Sequence, residues 1–475
     1  MATDAPAATT ADDLRTRADG WLADGPYPGA AVAVVDGAET VLAAGLGRRR
    51  VDPSAQATAR TRFPVGSATK PVTALAVLAL VERGDLALDA PVGEHFPPLA
   101  DPPGDSVTVR ELLSHTGGFP QDDVATALLG DQVLDADLGP KLPDRATFEA
   151  YVADRAADRF LDRERFLYYN SGYAALGAVI ESVTGSSFAA AVEDLVLAPL
   201  GMEAATFDPD VLDTETGVTP YLLDGGDPEP AGFMDHFAVR PPGGLLASAE
   251  DLAALLSGVT GGDHPVGEAL FTAATTPEVT VETTYDGDER TYGLGWFVEP
   301  FDGDVLVGHS GDAGTACAYV GFLRERGLGA AVACTGSAGR SPEDLVRELL
   351  AAATGRDPAR VLADRGVEQK TAAVEGRYEC PQGVHHATVE WTGEALAVDY
   401  ENPLDDDRFE YAPTSSAPDD HEFVRVEDDG DVETVEFLVD AEPTAMRLGW
   451  SWLERVGDLP AADDGPSDPE GEVEG

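Results

Sequence analysis

The sequence predicts an α+β protein followed by a smaller all-β domain, and three observations lead to this prediction. Strand patterns occur at residues 29–44 and return at 292–335, with helical patterns between them. A strongly apolar helix begins near residue 67. After residue 360, six short alternating segments are separated by turn residues. The chain of 475 residues is also longer than one hydrophobic core usually serves.

The first predicted elements are a hairpin and a buried helix. Segments 29–35 and 40–44 flank Asp36-Gly37, a dipeptide typical of tight hairpin turns. A helix is expected from about Ser67 to Arg83, and Gly84 is placed to end it. Its apolar residues lie on all sides, which predicts a central, buried helix.

The middle of the chain, about residues 108–290, is expected to form a helical subdomain. One helix follows Asn170, and another follows Ser248, which is a suitable N-cap. After this subdomain we expect a helix at 342–353, and strands at 292–298, 305–309, 316–323 and 329–335.

Changes in composition predict the domain boundaries. A polar arm at residues 1–10 precedes the main domain at 11–360, and an acidic tail at 460–475 is expected to be disordered. Residues 361–459 are expected to form the all-β domain, with strands at 377–380, 387–391, 396–400, 423–426, 434–439 and 445–452.

The charge balance is strongly acidic. The chain has 87 Asp and Glu residues against 31 Lys and Arg, a formal net charge of −56 at pH 7. Mutual repulsion destabilises a compact state in dilute buffer, whereas molar salt shortens the Debye length to about 3 Å. We therefore expect adaptation to a high-salt, halophilic cytoplasm rather than acidic partners, because the acids are spread along the whole chain. Nucleic-acid binding is excluded, since no basic patch exists.

Other compositional features predict neither a cofactor nor a membrane. The three cysteines have no metal-motif or disulfide spacing, and the pair His385-His386 lacks further ligands. The N-terminus lacks the basic and apolar regions of a signal peptide, and the longest apolar run, 74–81, is too short to span a bilayer. We expect a soluble, cytoplasmic protein without cofactor, metal or membrane partner.

Ser67-Ala68-Thr69-Lys70 is the strongest candidate for catalysis. Residues three apart share a helix face, so the hydroxyl and the amine are expected to meet at the N-terminus of the buried helix. Burial favours a neutral lysine that can take the serine proton, and helix N–H groups can stabilise an oxyanion. The structural alternative is a capping serine beside a lysine that extends to solvent.

Two further triplets complete the candidate site. In Tyr168-Tyr169-Asn170, the first tyrosine can pass a proton to a leaving group, and the asparagine can orient substrate. His309-Ser310-Gly311 ends a predicted strand, whose edge can donate backbone N–H groups to a carbonyl. His115-Thr116-Gly117 competes for the third position but comes too early in the chain.

The order Ser-x-x-Lys, Tyr-x-Asn, His-Ser-Gly resembles the class C β-lactamase-related, penicillin-recognising serine hydrolases. The resemblance covers about residues 10–355 and includes the phrases Phe63–Ser67, Leu112–Gly118, Asn170–Tyr173, Gly243–Leu245 and Gly308–Gly311. It implies a β-lactamase/transpeptidase-like fold, in which an antiparallel sheet flanked by helices meets a helical subdomain at the active-site cleft. The C-terminal strands are similar to the lipocalin-like appendage of some members.

The resemblance also implies residue roles. Ser67 would be the nucleophile, and Lys70 and Tyr168 the acid–base pair. The backbone N–H groups of Ser67 and Asp312 would form the oxyanion hole. The remaining substrate-binding residues would be Asn170, His309, Ser310 and Gly311.

The sequence departs from the family pattern at two positions, and each departure predicts a property of the active site. His309 stands where β-lactamases usually have Lys, which predicts poor β-lactam hydrolysis and a rate that changes near pH ~6.5 as the imidazole titrates. Tyr169 replaces a small residue and is expected to narrow the cleft.

The expected function is hydrolysis of small esters or amides through an acyl-enzyme on Ser67. D-amino peptidase or amidase activity and weak β-lactamase activity are alternatives within the same chemistry. A catalytically degenerate homologue that binds a ligand or partner without turnover is the alternative of a different class. The natural substrate and the oligomeric state are left open.

Overall fold

The structure, a computed structural model, describes residues 9–104, 106–120, 124–160, 165–223, 225–283, 289–337, 340–380, 384–401, 406–426, 432–439, 444–448 and 451–459. The chain divides into two compact units, Met1–Val361 and Leu362–Gly475. Most of the expected arm at 1–10 and the whole expected tail at 460–475 lie outside the described residues.

The first unit combines helices with a large sheet. Its helices are α1 (Ala11–Asp24), α2 (Lys70–Arg83), α3 (Val109–Leu113), α4 (Val124–Leu129), α5 (Arg145–Arg155), α6 (Asn170–Thr184), α7 (Phe188–Val192), α8 (Ala198–Leu200), α9 (Arg240–Gly243), α10 (Ala249–Gly261), α11 (Glu268–Ala274) and α12 (Pro342–Thr354). Its strands are β1 (Gly29–Asp36), β2 (Glu39–Arg50), β3 (Ala55–Gln56), β4 (Phe63–Pro64), β5 (Tyr221–Leu222), β6 (Glu229–Pro230), β7 (Leu246–Ala247), β8 (Val279–Thr283), β9 (Glu289–Tyr292), β10 (Phe297–Phe301), β11 (Asp304–Asp312), β12 (Ala316–Leu323) and β13 (Leu328–Thr335).

Within the described residues, the main sheet has nine strands in the order β3-β2-β1-β13-β12-β11-β10-β9-β8. All its pairs are antiparallel, which confirms the predicted α+β fold. The predicted hairpin is confirmed as well, with Asp36 paired to Glu39 and Gly37 at a φ of 55°. Glycine tolerates this left-handed conformation without strain.

The central helix begins differently from the prediction. Residues Gly66–Thr69 form a 3₁₀ turn, and the α-helix starts only at Lys70. Pro71 has no N–H to bond the carbonyl of Ser67, so the N–H of Lys70 donates to that carbonyl and closes a tighter turn. From Lys70 to Leu80 every residue is buried, and Gly84 ends the helix at a φ of 77°, both as predicted.

One predicted strand is in fact two. The segment expected at 292–298 is divided between β9 and β10, which pair with each other through Tyr292 and Phe297. The intervening Gly293–Trp296 turn includes Gly295 at a φ of 93°, which breaks the extended run. Strand β11 continues three residues beyond its expected end at His309, to Asp312.

The second unit contains helix α13 (Ala363–Val374) and a closed barrel. The barrel strands are β14 (Gly376–Glu379), β15 (His386–Trp391), β16 (Leu396–Glu401), β17 (Asp406–Pro413), β18 (Glu422–Val426), β19 (Val432–Leu438), β20 (Ala445–Leu448) and β21 (Ser451–Gly457). Pairing of β21 with β14 closes the barrel, which confirms the expected lipocalin-like all-β domain.

Three elements of this unit differ from the prediction. The segment expected as one strand at 445–452 is divided between β20, which ends at Leu448, and β21, which begins at Ser451. Strand β17 was not predicted because its first residues, Asp406-Asp407, have the composition of a turn. Helix α13 was not predicted either, since its buried residues include the polar Lys370 and Thr371.

In the part of the chain that the structure describes, no single helix has the length and apolar character needed to cross a bilayer. Among the described helices, one pair passes that test when taken together, namely α6 and the following Phe188–Leu200 segment, and the two are bent by 76° relative to each other.

Candidate active site

Two glycines bring the end of β11 against the turn that carries Ser67. A Cβ atom on Gly311 would lie 1.9 Å from the carbonyl oxygen of Val65. One on Gly66 would lie 2.7 Å from the backbone nitrogen of Asp312, and Gly66 also has a φ of 52°. A side chain at either position would therefore separate Ser67 from the strand end.

Lys70 is fully buried next to Ser67. Its Nζ atom donates hydrogen bonds to Ser67 Oγ at 2.9 Å, to Asn170 Oδ1 at 2.9 Å and to the carbonyl oxygen of Pro242 at 3.1 Å. It also lies 4.6 Å from the centroid of the Tyr168 ring. Three acceptors match the three N–H groups of an ammonium, so the lysine is held in one position against the serine.

Tyr168 lies two residues before the start of α6, and it lines the same cleft as Ser67. Burial raises the pKa of Tyr168, although the nearby Ser67 side chain opposes this effect. The phenol therefore stays protonated at neutral pH. A protonated phenol beside a nucleophile can donate its proton to a departing group.

His115 holds the backbone on both sides of Tyr168. Its carbonyl oxygen accepts the N–H of Leu167 at 2.9 Å, and its Nδ1 atom accepts the N–H of Tyr169 at 3.1 Å. Its ring packs on Tyr168 with the centroids 4.5 Å apart. Burial lowers the pKa of His115 well below its usual value, and the charge of Lys70 adds to this effect, so the ring is neutral.

His309 is buried and neutral. Its Nδ1 atom lies 2.6 Å from the carbonyl oxygen of Ser310, and its Nε2 atom lies 3.0 Å from the hydroxyl of Tyr292. A carbonyl only accepts, so Nδ1 carries the proton and Nε2 accepts a hydrogen bond from Tyr292.

The titration expected for His309 is wrong. Burial lowers the pKa of His309 to about 3, and the nearby charge of Lys70 contributes to this shift. The imidazole therefore remains neutral through the physiological range, and it does not replace the positive charge of the lysine usual at this position.

The residues after His309 form an open strand edge. Strand β10 pairs with β11 only as far as Gly308, whereas β12 pairs with it as far as Asp312. One side of residues 309–312 thus has no strand partner among the described residues, next to the Ser67 turn. A backbone N–H at such an edge can donate to a carbonyl oxygen.

A cleft with a volume of about 510 Å³ contains both the nucleophile and this edge. It is lined by Tyr27, Ser67, Tyr168, Ser310, Gly311, Asp312, Cys317, Ala318, Ser337, Ser341 and Pro342. The expectation that Tyr169 narrows the cleft is wrong, because its side chain is buried and stacks on Phe119 with the centroids 5.0 Å apart. Neighbouring side chains of an extended segment point in opposite directions, so Tyr168 alone of the two faces the cleft.

Sequence reasoning missed three contributors to this arrangement. His115 begins the His-Thr-Gly triplet, which comes too early for the third motif, but it also lies in the Leu112–Gly118 phrase shared with the family, and that phrase is a signal for it. Tyr292 was expected only as a strand residue. Pro242 acts through its backbone carbonyl, and such a contact leaves no residue-type signal in a sequence.

Comparisons with known proteins find matches to both units of the chain. The profile of the family described as Beta-lactamase matches residues 14–355, and that of the Pab87 octamerisation domain matches residues 358–448. Penicillin-binding protein 4 of Amycolatopsis lactamdurans is 30% identical over 379 residues, which are 76% of this chain and 96% of that protein.

Two solved structures are similar as well. The octameric penicillin-binding protein homologue from Pyrococcus abyssi is 28% identical, with a TM-score of 0.74 over 93% of this chain and 99% of its own. A class C β-lactamase from Rhodobacter sphaeroides, 18% identical, shares the fold alone, with a TM-score of 0.57 over 72% of this chain and 98% of its own. Because the family profile covers well over half of the chain, the protein belongs to the beta-lactamase family.

Proposed function

We propose that this protein is a serine hydrolase that cleaves small esters or amides through an acyl-enzyme on Ser67. The observation that carries the proposal is the 2.9 Å hydrogen bond from Lys70 Nζ to Ser67 Oγ at the wall of an open cleft. Membership of a family of serine hydrolases supports it.

In acylation, the Lys70 ammonium first gives up a proton to solvent; Ser67 Oγ then attacks the substrate carbonyl, and the Ser67 proton moves to the neutral amine of Lys70. The backbone N–H groups of Ser67 and Asp312 stabilise the oxyanion at the strand edge. Tyr168 donates its proton to the leaving group and recovers one from Lys70, which lies beside its ring. Water then attacks the carbonyl of the acyl-enzyme, Lys70 and Tyr168 transfer one proton of that water to Ser67 Oγ as the bond to the acyl group breaks, and the carboxylic acid is released.

The third motif favours acyl substrates without a carboxylate over β-lactams. A β-lactam carries a carboxylate, which a lysine in this motif would attract, whereas His309 is buried and neutral. We therefore propose weak β-lactam turnover, with small esters and amides, including D-amino acid amides, as the substrate class. The ordered contacts of Lys70 favour this proposal over a homologue that binds without turnover.

The test is hydrolysis of p-nitrophenyl acetate and butyrate in molar KCl by the wild type, Ser67→Ala and Ser186→Ala. Ser186 lies in an exposed turn after α6 and is the matched control. We expect turnover by the wild type and Ser186→Ala and its loss in Ser67→Ala, with one acyl group on Ser67 detected by mass spectrometry. Equal turnover by Ser67→Ala would contradict the proposal.

We also propose that the chain forms oligomers through its C-terminal unit. The match to an octamerisation domain and the octameric Pyrococcus homologue support this. Val426 and Val432 are partners across β18 and β19 and are 71% and 63% exposed, which is unusual for apolar side chains. Light scattering should give a multiple of the chain mass, reduced in a Val426→Asp/Val432→Asp variant but unchanged in Phe160→Asp, an exposed apolar control in the first unit.

The excess of acidic residues leads us to propose a high-salt cytoplasmic environment. Repulsion among the charges that give a net −56 is screened by molar salt. The melting temperature should therefore rise between dilute and molar KCl, and a melting temperature that is independent of salt would contradict the proposal.

A further inference from the structure

The carboxylate of Asp312 lies on the cleft side of β11. Along this strand, Ser310 and Asp312 are exposed, whereas His309 and Gly311 between them are buried. This alternation is that of a strand with one covered face. Asp312 and Ser67 therefore line the same cleft.

Neutral donors hold the Asp312 carboxylate in one position. Its Oδ1 atom accepts the N–H of Gly314 at 2.6 Å, and its Oδ2 atom accepts the hydroxyl of Ser337. Among the described residues, no Lys, Arg or His approaches it within ion-pair distance. At the other end of the same strand, Asp304 is bound by two arginines, so the lack of a cation at Asp312 is a local property of the cleft.

The carboxylate is also close to the reacting position. The backbone nitrogen of Asp312 abuts Gly66, the residue before the nucleophile. A side-chain carboxylate stays within about 5 Å of its own backbone nitrogen, which follows from bond lengths alone.

We infer that Asp312 selects substrates that carry a free ammonium group beside the scissile carbonyl, that is, esters and amides of amino acids with an unblocked amino group. This inference rests on the proposed function of Ser67. An ionised carboxylate has about four acceptor positions, so two remain after the bonds from Gly314 and Ser337. The ammonium group of a substrate can donate charge-assisted hydrogen bonds to these two acceptor positions. An acylated amine carries no charge and binds more weakly, and an anionic substituent is repelled by the carboxylate.

The kinetic experiment compares alanine p-nitroanilide with N-acetylalanine p-nitroanilide, each as both enantiomers, in molar KCl. The wild type should favour the free amine in kcat/KM by roughly tenfold to hundredfold for at least one enantiomer. In Asp312→Asn, which keeps the size and an acceptor oxygen, this ratio should fall at least about tenfold whatever the change in absolute rate.

The matched control is Asp36→Asn, which makes the same change of charge. Asp36 is exposed at the far end of β1 and pairs with Leu328, whereas Ala30, near the start of β1, pairs with Cys334, which contacts the cleft residue Cys317. The amine-to-acetyl ratio should be unchanged in this variant. An equal loss in both variants would overturn the inference and indicate a general field effect.

A binding experiment separates this inference from the proposed function. In Ser67→Ala, calorimetry should give tighter binding of alaninamide than of N-acetylalaninamide, and the added Asp312→Asn change should remove the difference. Equal affinities in Ser67→Ala overturn the inference, even if neutral esters are hydrolysed by the wild type. A preference for the amine that depends on Asp312 supports it, even if no ester is turned over and the proposed hydrolase function fails.

Discussion

The two groups of residues on either side of Ser67 differ in burial and in charge. On one side lies a buried group, made up of Lys70, Tyr168, Asn170, His115 and His309. Three of its members are almost completely buried, and the contacts described above hold each of them. On the other side lies an exposed group, made up of Ser310, Asp312 and Ser337, which faces the open cleft.

This difference separates chemistry from selection. The buried group surrounds the Lys70 side-chain nitrogen with aromatic rings and amide oxygens, and electrostatic interactions are stronger in such surroundings than in water. Substitutions there should lower the rate for every substrate. The exposed group carries a negative charge next to solvent, so substitutions there should change the ratio between substrates.

The largest effect is expected from Lys70→Met. Without the amine, nothing accepts the Ser67 proton, and kcat/KM for all esters should fall roughly 10³–10⁵-fold. The matched control is Lys141→Met, which removes a lysine that forms an exposed ion pair with Asp131. Steady-state kinetics in molar KCl checks the effect.

Because the change also leaves the acceptors Asn170 Oδ1 and Pro242 O without their donor, thermal unfolding must accompany the kinetics. A folded Lys70→Met enzyme that retains a tenth of the wild-type rate would show that the buried group does not carry the chemistry.

The next effect is expected from Tyr168→Phe. This change removes only the phenol hydroxyl that is proposed to protonate the leaving group, so kcat should fall roughly 10²–10³-fold with little change in KM. The control is Tyr169→Phe, which deletes a hydroxyl from a ring that is buried against Phe119. A similar loss of kcat in both variants would indicate that the loss comes from a disturbed Tyr168–Tyr169 backbone rather than from the missing proton of Tyr168.

The buried group was largely predictable from the sequence, because its members occur in short motifs. Ser67 and Lys70 are three residues apart at the start of an apolar helix, and that spacing alone brings their side chains together. The contacts of Lys70 with Asn170 and of His309 with Tyr292 depend on the sheet and on α6, so local patterns do not contain them.

The errors in the fold prediction have a related cause. The 292–298 run looks continuous, but Gly295 needs a positive φ and divides it into β9 and β10. Strand β17 begins with two aspartates, and only pairing with β16 makes an extended strand there favourable. The pKa of His309 likewise follows from its burial beside Lys70, which no motif records.

His115 gives a smaller test of the buried group. His115→Ala removes the acceptor for the N–H of Tyr169 and should lower kcat about tenfold to hundredfold by loosening Tyr168. His115→Asn should restore part of the rate, because asparagine tolerates the φ of 59° and offers an acceptor oxygen. If alanine and asparagine are equally impaired while both remain folded, the hydrogen bond does not position Tyr168.

The smallest change at neutral pH is expected from His309→Gln. This substitution should instead alter the stability of the protein in acid. The pKa of His309 is about 3 in the folded state and about 6.5 when unfolded, so only the unfolded chain binds a proton between those values. The free energy of unfolding of the wild type should therefore fall, as pH decreases through this window, by about 1.4 kcal/mol per pH unit from this residue alone. Denaturant unfolding in molar KCl should show that His309→Gln loses less stability on acidification than the wild type, while His95→Gln, a surface control, matches the wild type. If the wild type and His309→Gln lose stability in parallel as the pH falls, the His309 ring is not held neutral in the folded protein. The electrostatic difference between the two sides of Ser67 would then be smaller than the burial of His309 indicates.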